Sequence, residues 1–510
     1  MSISIEEINS LISVISKNKV KQIEIIGNGE HSTSQVQQLY ELLVNEEIKT
    51  DEEGREFFFD GAVNQILYFN RLKRKLRSRL YNTLFFIDVN RSTFNEIQRA
   101  YYTCYKESTA VKILIGRYAR NSAISLAERT IKKAIKFDFT DITLELARTL
   151  RMHYSNIKGD KKKFAHYKKI LKKYSEIYLA ELKAEEYYSD LIINFAGSQS
   201  TKPELLDVVK KNCLELKEII VKYNSYKLNL HSYMMFILRY EIENDFSNTL
   251  IVCNEAIKYF ESKPHIISKT VVINFSLKKL VCFIMLKRFL EGENVAKYCL
   301  KLLPEGSVNW LISQNYYVIL SFHSNQLQKA YSLYQEAKNH LDFDDKTIAY
   351  LEHWKVHEAL INYLIAIKKV EINKNDDSTN FRLSKFINNV PTYSKDKQGV
   401  NISILIIQIL FLLQNGKYEE IIDRTESLKT YVHRYLRRDH TFRSNCFIKM
   451  LLCLPAASFH KAGVTRKAKK YIDLLKSVPI EKANQSPEVE IIPYEMLWEF
   501  VLESLDNKFH

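Results

Sequence analysis

EHWKVHE, Glu352 to Glu358, sets His353 and His357 one helical turn apart, the spacing at which two imidazoles can share a metal ion. A zinc hydrolase of the H-E-x-x-H type carries its general base directly after the first histidine; Trp354 stands there instead, and no third ligand is identifiable. The pair is expected to pack between helices, with no metal bound. IEIIGNGEHSTSQVQQL, Ile23 to Leu39, places Gly27 and Gly29 between a short apolar run and a helix, as phosphate loops do. A Walker loop needs lysine and a hydroxyl after its last glycine, yet Glu30 and His31 follow Gly29, and Ser32 stands where a dinucleotide loop has its third glycine. The stretch reads as a turn followed by an N-cap at Ser32, Thr33 or Ser34, with no nucleotide or other cofactor. RLKRKLRSR is the strongest charge feature. Its Arg71, Lys73, Arg74, Lys75, Arg77 and Arg79 surround an apolar stripe of Tyr68, Leu72, Leu76, Leu80 and Leu84. Such a helix is either a solvated surface whose leucines pack on the first repeat or a contact for phosphates or a partner.

Which elements hold these residues follows from the composition. Only 12 glycines and 8 prolines punctuate 510 residues, and Lys, Glu, Leu, Ile and Tyr recur at helical spacing, so an almost wholly α-helical chain is expected. The 7 cysteines are scattered and never form C-x-x-C, which argues against a disulfide framework or zinc knuckle and for a reducing cytosol. No signal peptide is read at the N-terminus. ISILIIQILFLL, Ile402 to Leu413, falls short of the ~20 residues that cross a bilayer and reads as a buried helix, so no membrane association is expected. The net charge of +15 admits acidic partners or nucleic acid without specifying either.

From about Asn121 onward the second helices of successive pairs are predicted to start near Asn121, Lys161, Pro203, Phe246, Phe289, Leu327, Phe381, Tyr418 and Thr465, at early intervals of about forty residues. SNQLQKAYSLYQEAKNHL has Asn325 at a turn, then Ala330, Tyr334 and Ala337 at spacings of four and three. Gly292, Ala296 and Cys299 repeat that spacing after Phe283, with Pro304 closing the unit; Thr249, Cys253 and Ala256 repeat it after Tyr240. Near the end, Phe459, Gly463 and Ala468 supply aromatic, turn and small residue in order.

On these residues the chain resembles the tetratricopeptide class of helix-turn-helix repeats. The resemblance implies a right-handed α-solenoid of antiparallel pairs, each burying its apolar face only by stacking on the next. It implies an N-terminal helical module or cap over 1–92, repeats over 93–480 with an irregular insertion at 371–399, and a C-terminal capping helix over 481–510. The N-terminal module is expected to hold helices from Ile5 to Ser16 and Ser34 to Glu46, a capping box at Thr50-Asp51-Glu52-Glu53, and the basic helix. Arg434 and His440 stand at a spacing similar to the paired arginine and histidine of helical ribonucleases, but Tyr435 occupies a position where those enzymes carry a small polar residue. No catalytic residues are assigned. The expected function is a non-enzymatic scaffold or regulatory subunit that binds a protein or peptide on a concave face; the alternative is a nucleic-acid-binding regulator acting through helix 68–84.

Overall fold

Helix boundaries in the computed structural model follow the sequence signals closely. The structure describes residues 4–17, 34–61, 63–90, 94–197, 203–266, 269–341, 351–372, 400–436, 441–483 and 485–506, and among them every regular element is helical and no strand occurs. The turn at Gly27–Ser32, His440, the region around Phe381 and nearly all of the 371–399 insertion lie outside the described residues. Two compact units divide between Ser175 and Glu176.

The first unit contains α1 (Ile5–Lys17), α2 (Gln35–Val44), α3 (Asp51–Phe59), α4 (Gln65–Leu84), α5 (Glu96–Gly116), α6 (Arg120–Lys136) and α7 (Thr140–Asn156), and ends inside α8 (Lys161–Gly197). Ser34 caps α2 by accepting from the Gln37 N–H, and Thr50 and Glu53 form the reciprocal capping box of α3. Each therefore satisfies N–H groups that a helix start leaves open. The apolar face of α4 is Phe69, Leu72, Leu76 and Leu80; it is buried against Ile8 and Ile12 of α1 and Leu39 and Leu43 of α2. Two expectations are corrected here. Tyr68 lies 40% exposed while Phe69, one residue on, takes the core position. Among the described residues the leucines pack with the N-terminal helices α1 and α2, where packing on the first repeat was the expectation. Glycine is required at position 54, because a β-carbon there would stand 2.2 Å from Phe69 Cζ.

The second unit begins within α8 and continues through α9 (Pro203–Lys222), α10 (Tyr226–Ile242), α11 (Phe246–Glu261), α12 (Lys269–Met285), α13 (Phe289–Leu302), α14 (Val308–His323), α15 (Leu327–Lys338) and α16 (Leu351–Ala366). It then runs through α17 (Val400–Gln414), α18 (Tyr418–Tyr435), α19 (Phe442–Leu451), the short α20 (Cys453–Ala456), α21 (Lys461–Ser477) and α22 (Tyr494–Asp506). Helices pack chiefly on their chain neighbours. The starts of α8, α9, α11, α13, α15 and α18 fall at the positions expected for second helices, but the pairing is corrected between Lys161 and Pro203, where the single 37-residue α8 takes the place of a second helix and the first helix of the next pair.

Small residues are the reason neighbouring helices approach closely. Thr249, Cys253 and Ala256, then Ala296 and Cys299, then Ala330 and Ala337 are all fully buried. At Gly292 a β-carbon would lie 2.9 Å from Leu320 Cδ1, so α14 presses directly on that position. Gly463 is corrected: it lies inside α21, against Ala457, and the preceding turn is made by Ser458 and Phe459 in left-handed conformation. The polar residues of ISILIIQILFLL are satisfied without leaving the core, since Ser403 Oγ donates to the Val489 carbonyl and Gln408 Oε1 accepts from Arg424. Among the described residues no helix is long and apolar enough to cross a membrane.

One local device recurs between helices. Tyr118, Asp138, Asn244, Lys287 and Asn325 each adopt a positive φ between 54° and 62° directly after a helix. The next residue's N–H then reaches back five residues, as in Ala119 to Leu114, Asp245 to Tyr240 and Arg288 to Phe283, all at 2.9 Å. This closure satisfies a last-turn carbonyl and reverses the chain, against a cost of roughly 1 kcal/mol for a non-glycine left-handed residue.

Candidate functional site

Burial separates the residues of the basic helix. Lys73 is fully buried on the core side of α4, its Nζ 2.7 and 2.8 Å from the two carboxylate oxygens of Asp51 and 5.0 Å over the Phe69 ring. Arg77 is half-buried and pairs with Glu7 at 3.0 Å. Arg79 is half-buried, and Arg71, Arg74 and Lys75 face solvent. The run therefore offers fewer available cations than its sequence suggests. The missed signal was helical spacing: Phe69, Lys73, Leu76 and Leu80 share one face.

The histidine pair is also divided. His357 is fully buried, and its Nε2 donates to Asn315 Oδ1 at 2.7 Å, while its Nδ1 is buried without a partner. Burial and the neighbouring His353 push its pKa down to about 3, so the ring is neutral at physiological pH. His353 is half-buried one turn earlier. Among the described residues no group of three or more His, Cys, Asp or Glu side chains is arranged to hold a metal ion. The seven cysteines are all buried and unbridged; burial lifts the Cys104, Cys213 and Cys299 thiols to about 11, which keeps them protonated.

Sequence reasoning did not anticipate a buried ionic network in the second unit. Arg443, 1% exposed, donates from Nε and Nη2 to the two oxygens of Glu490 at 2.8 and 2.7 Å. Nη2 also meets Glu495, and Nη1 donates to the Leu475 and Val478 carbonyls at 3.0 and 2.8 Å. Glu490 additionally accepts from Gln485 Nε2 and the Tyr494 N–H. Burial raises the Glu490 carboxyl and the bidentate guanidinium opposes that rise. Close by, His323 bonds the Glu490 carbonyl through Nε2 at 2.8 Å, and burial lowers its pKa to about 4. Every donor of Arg443 is engaged, so this network ties the segment before α22 to α19 and α21 and leaves nothing for a ligand.

Among the described residues, two clefts offer open polar groups instead. One, of about 510 Å³ in the second unit, is bounded by α18, α19, α20 and α21. Lys429, His433, Asn445 and Lys449 supply its polar groups, while Val432, Leu452, Cys453, Ala456 and Tyr471 form apolar walls. Among the described residues no carboxylate lines it. Lys429 is paired with Glu426 at 2.7 Å, and Lys449 Nζ lies 5.9 Å from the Tyr471 ring centre. The other cleft, of about 360 Å³ in the first unit, is lined from α5, α6 and α7 and carries Arg120, Arg148 and His153. Sequence reasoning selected neither, because each gathers residues from separate helices with no local motif. Comparison with known protein families, with curated proteins and with solved structures finds none that matches this chain.

Proposed function

We propose that this chain is a tetratricopeptide-like solenoid that acts as a binding scaffold and not as a catalyst, and that its partner is an acidic peptide seated in the α18–α21 cleft. The observation that carries the reading is the composition of that cleft: cationic and imidazole groups around apolar walls, with no carboxylate among the described lining residues. A peptide carboxylate would meet Lys449 and His433, and an adjacent apolar side chain would lie against Tyr471 and Leu452. The volume falls within the ~300–1,000 Å³ typical of ligand sites. Support for the repeat architecture comes from neighbour-on-neighbour packing, the recurring left-handed turns and the buried small residues. Burial of Lys73 and pairing of Arg77 weigh against the nucleic-acid alternative, since they withdraw two cations from helix 68–84.

A random-peptide display selection on the full chain, counter-screened on Lys449→Glu, tests the reading. Enrichment of sequences joining Asp or Glu to an apolar residue, lost on the variant, is expected. Enriched sequences without acidic residues, or ones captured equally by Lys449→Glu, would overturn it.

A further inference from the structure

The cleft of the first unit gathers positive charge that no ion pair among the described residues offsets. Arg148, Thr149, Met152, His153 and Asn156 come from consecutive turns of α7, and Arg120 and Ile124 from the first turns of α6. Both arginines are exposed, and among the described residues neither has an ion-pair partner. Glu128, which acts on His153, is engaged by Lys163 and Tyr154, and Glu145, one turn before Arg148, is engaged by Lys112. Arg120 occupies the first position of α6, where the helix dipole disfavours a cation, and the residue before it is Ala119, which has no side-chain acceptor for the open N–H groups.

His153 lines the same cleft, 7% exposed, with Nδ1 buried and without a hydrogen-bond partner. A buried polar atom without a partner is destabilising until something bonds it. Two guanidinium groups without ion-pair partners, an uncapped helix start and an imidazole with an unpartnered Nδ1 line one cleft, and such groups are the ones that recognise anions. The apolar part of the lining, Ile124, Met152 and Ile157, suits an organic body attached to that anion.

We propose that this cleft binds an organic phosphate monoester, with Arg120 and Arg148 holding the dianionic phosphoryl group, His153 providing a further donor and Ile124, Met152 and Ile157 covering the organic moiety. The assignment is independent of the peptide cleft in the second unit. Protonation of His153 is coupled to occupancy. Its pKa is lowered by burial, then by Arg120 and Lys158, and further by Lys163, while Glu128 alone acts to raise it; Arg148 adds another cation in the cleft. A bound dianion offsets those cations and favours the imidazolium, so binding takes up a proton and strengthens as pH falls.

Isothermal titration of the full chain with phenyl phosphate and with inorganic phosphate tests this. Saturable binding is expected, with phenyl phosphate tighter than inorganic phosphate. Arg120→Gln and Arg148→Gln should each weaken it about tenfold to a hundredfold, whereas Lys132→Gln, an exposed charge on α6 outside the cleft, should leave it unchanged. His153→Gln should flatten the pH dependence of affinity relative to wild type, a difference in which the ligand's own titration cancels. Absence of saturable binding, equal affinity for the two probes, losses matched by Lys132→Gln, or a pH profile unaltered in His153→Gln would each overturn the assignment.

Discussion

Arg443 and the pair Arg120 and Arg148 place the same side chain in opposite circumstances. Arg443 lies in the interior of the second unit with its guanidinium donors engaged by two carboxylates and two carbonyls. Arg120 and Arg148 border an open cleft of the first unit beside an imidazole nitrogen with no partner. What differs is satisfaction. A charge whose partners are all internal ties elements of the fold together, whereas an exposed charge without an ion pair is met by water and stays open to a ligand.

The largest expected effect breaks the closed member of this comparison. Arg443→Met removes the cation and leaves Glu490 buried and unpaired, which should cost about 3–5 kcal/mol, read as a lower urea midpoint. The double variant Arg443→Met with Glu490→Gln should recover part of that loss, because the stranded charge is gone. A second test titrates the network's surroundings. The pKa of His323 is about 4 in the folded chain against 6.5 when free, so below pH 6.5 the unfolded chain binds a proton that the folded one refuses. Stability contributed by its neutral ring is complete above pH 6.5 and falls as pH drops toward 4, by about 1.4 kcal/mol per pH unit. His323→Gln should reduce the slope of unfolding free energy against pH by that amount over this window, whatever it does to absolute stability. The smallest effect belongs to the open member: Arg148→Gln, with no internal partner to lose, should change stability by less than about 0.5 kcal/mol.

The sequence exposed what is local and concealed what is assembled. The capping box at Thr50 and Glu53, the cap at Ser34 and the starts of α8, α9, α11, α13, α15 and α18 were legible, because each is decided by a few consecutive residues or by a repeated spacing. The reversing turns were legible at Asn325 but not at Tyr118 or Lys287, residue types that carry no signal for left-handed backbone. Lys73 was concealed by its neighbours, since a lysine within a basic run reads as solvated even when its helical position faces the core. Arg443 and Glu490 stand 47 residues apart, and the Arg120 and Arg148 cleft joins different helices, so only tertiary packing discloses either arrangement.

Binding of an acidic peptide between α18 and α21, as proposed, is measured by fluorescence anisotropy with a labelled peptide of the display consensus. The titration would compare wild type, Lys449→Glu, Tyr471→Ala and the triple variant Arg71→Gln, Arg74→Gln, Arg77→Gln. Loss of a buried charge contact or an aromatic anchor costs about 1.5–3 kcal/mol, so Lys449→Glu and Tyr471→Ala should each weaken binding about tenfold or more while the triple variant binds as the parent does. Unchanged affinity in both cleft variants, with the loss appearing instead in the triple variant of the basic helix, would contradict it.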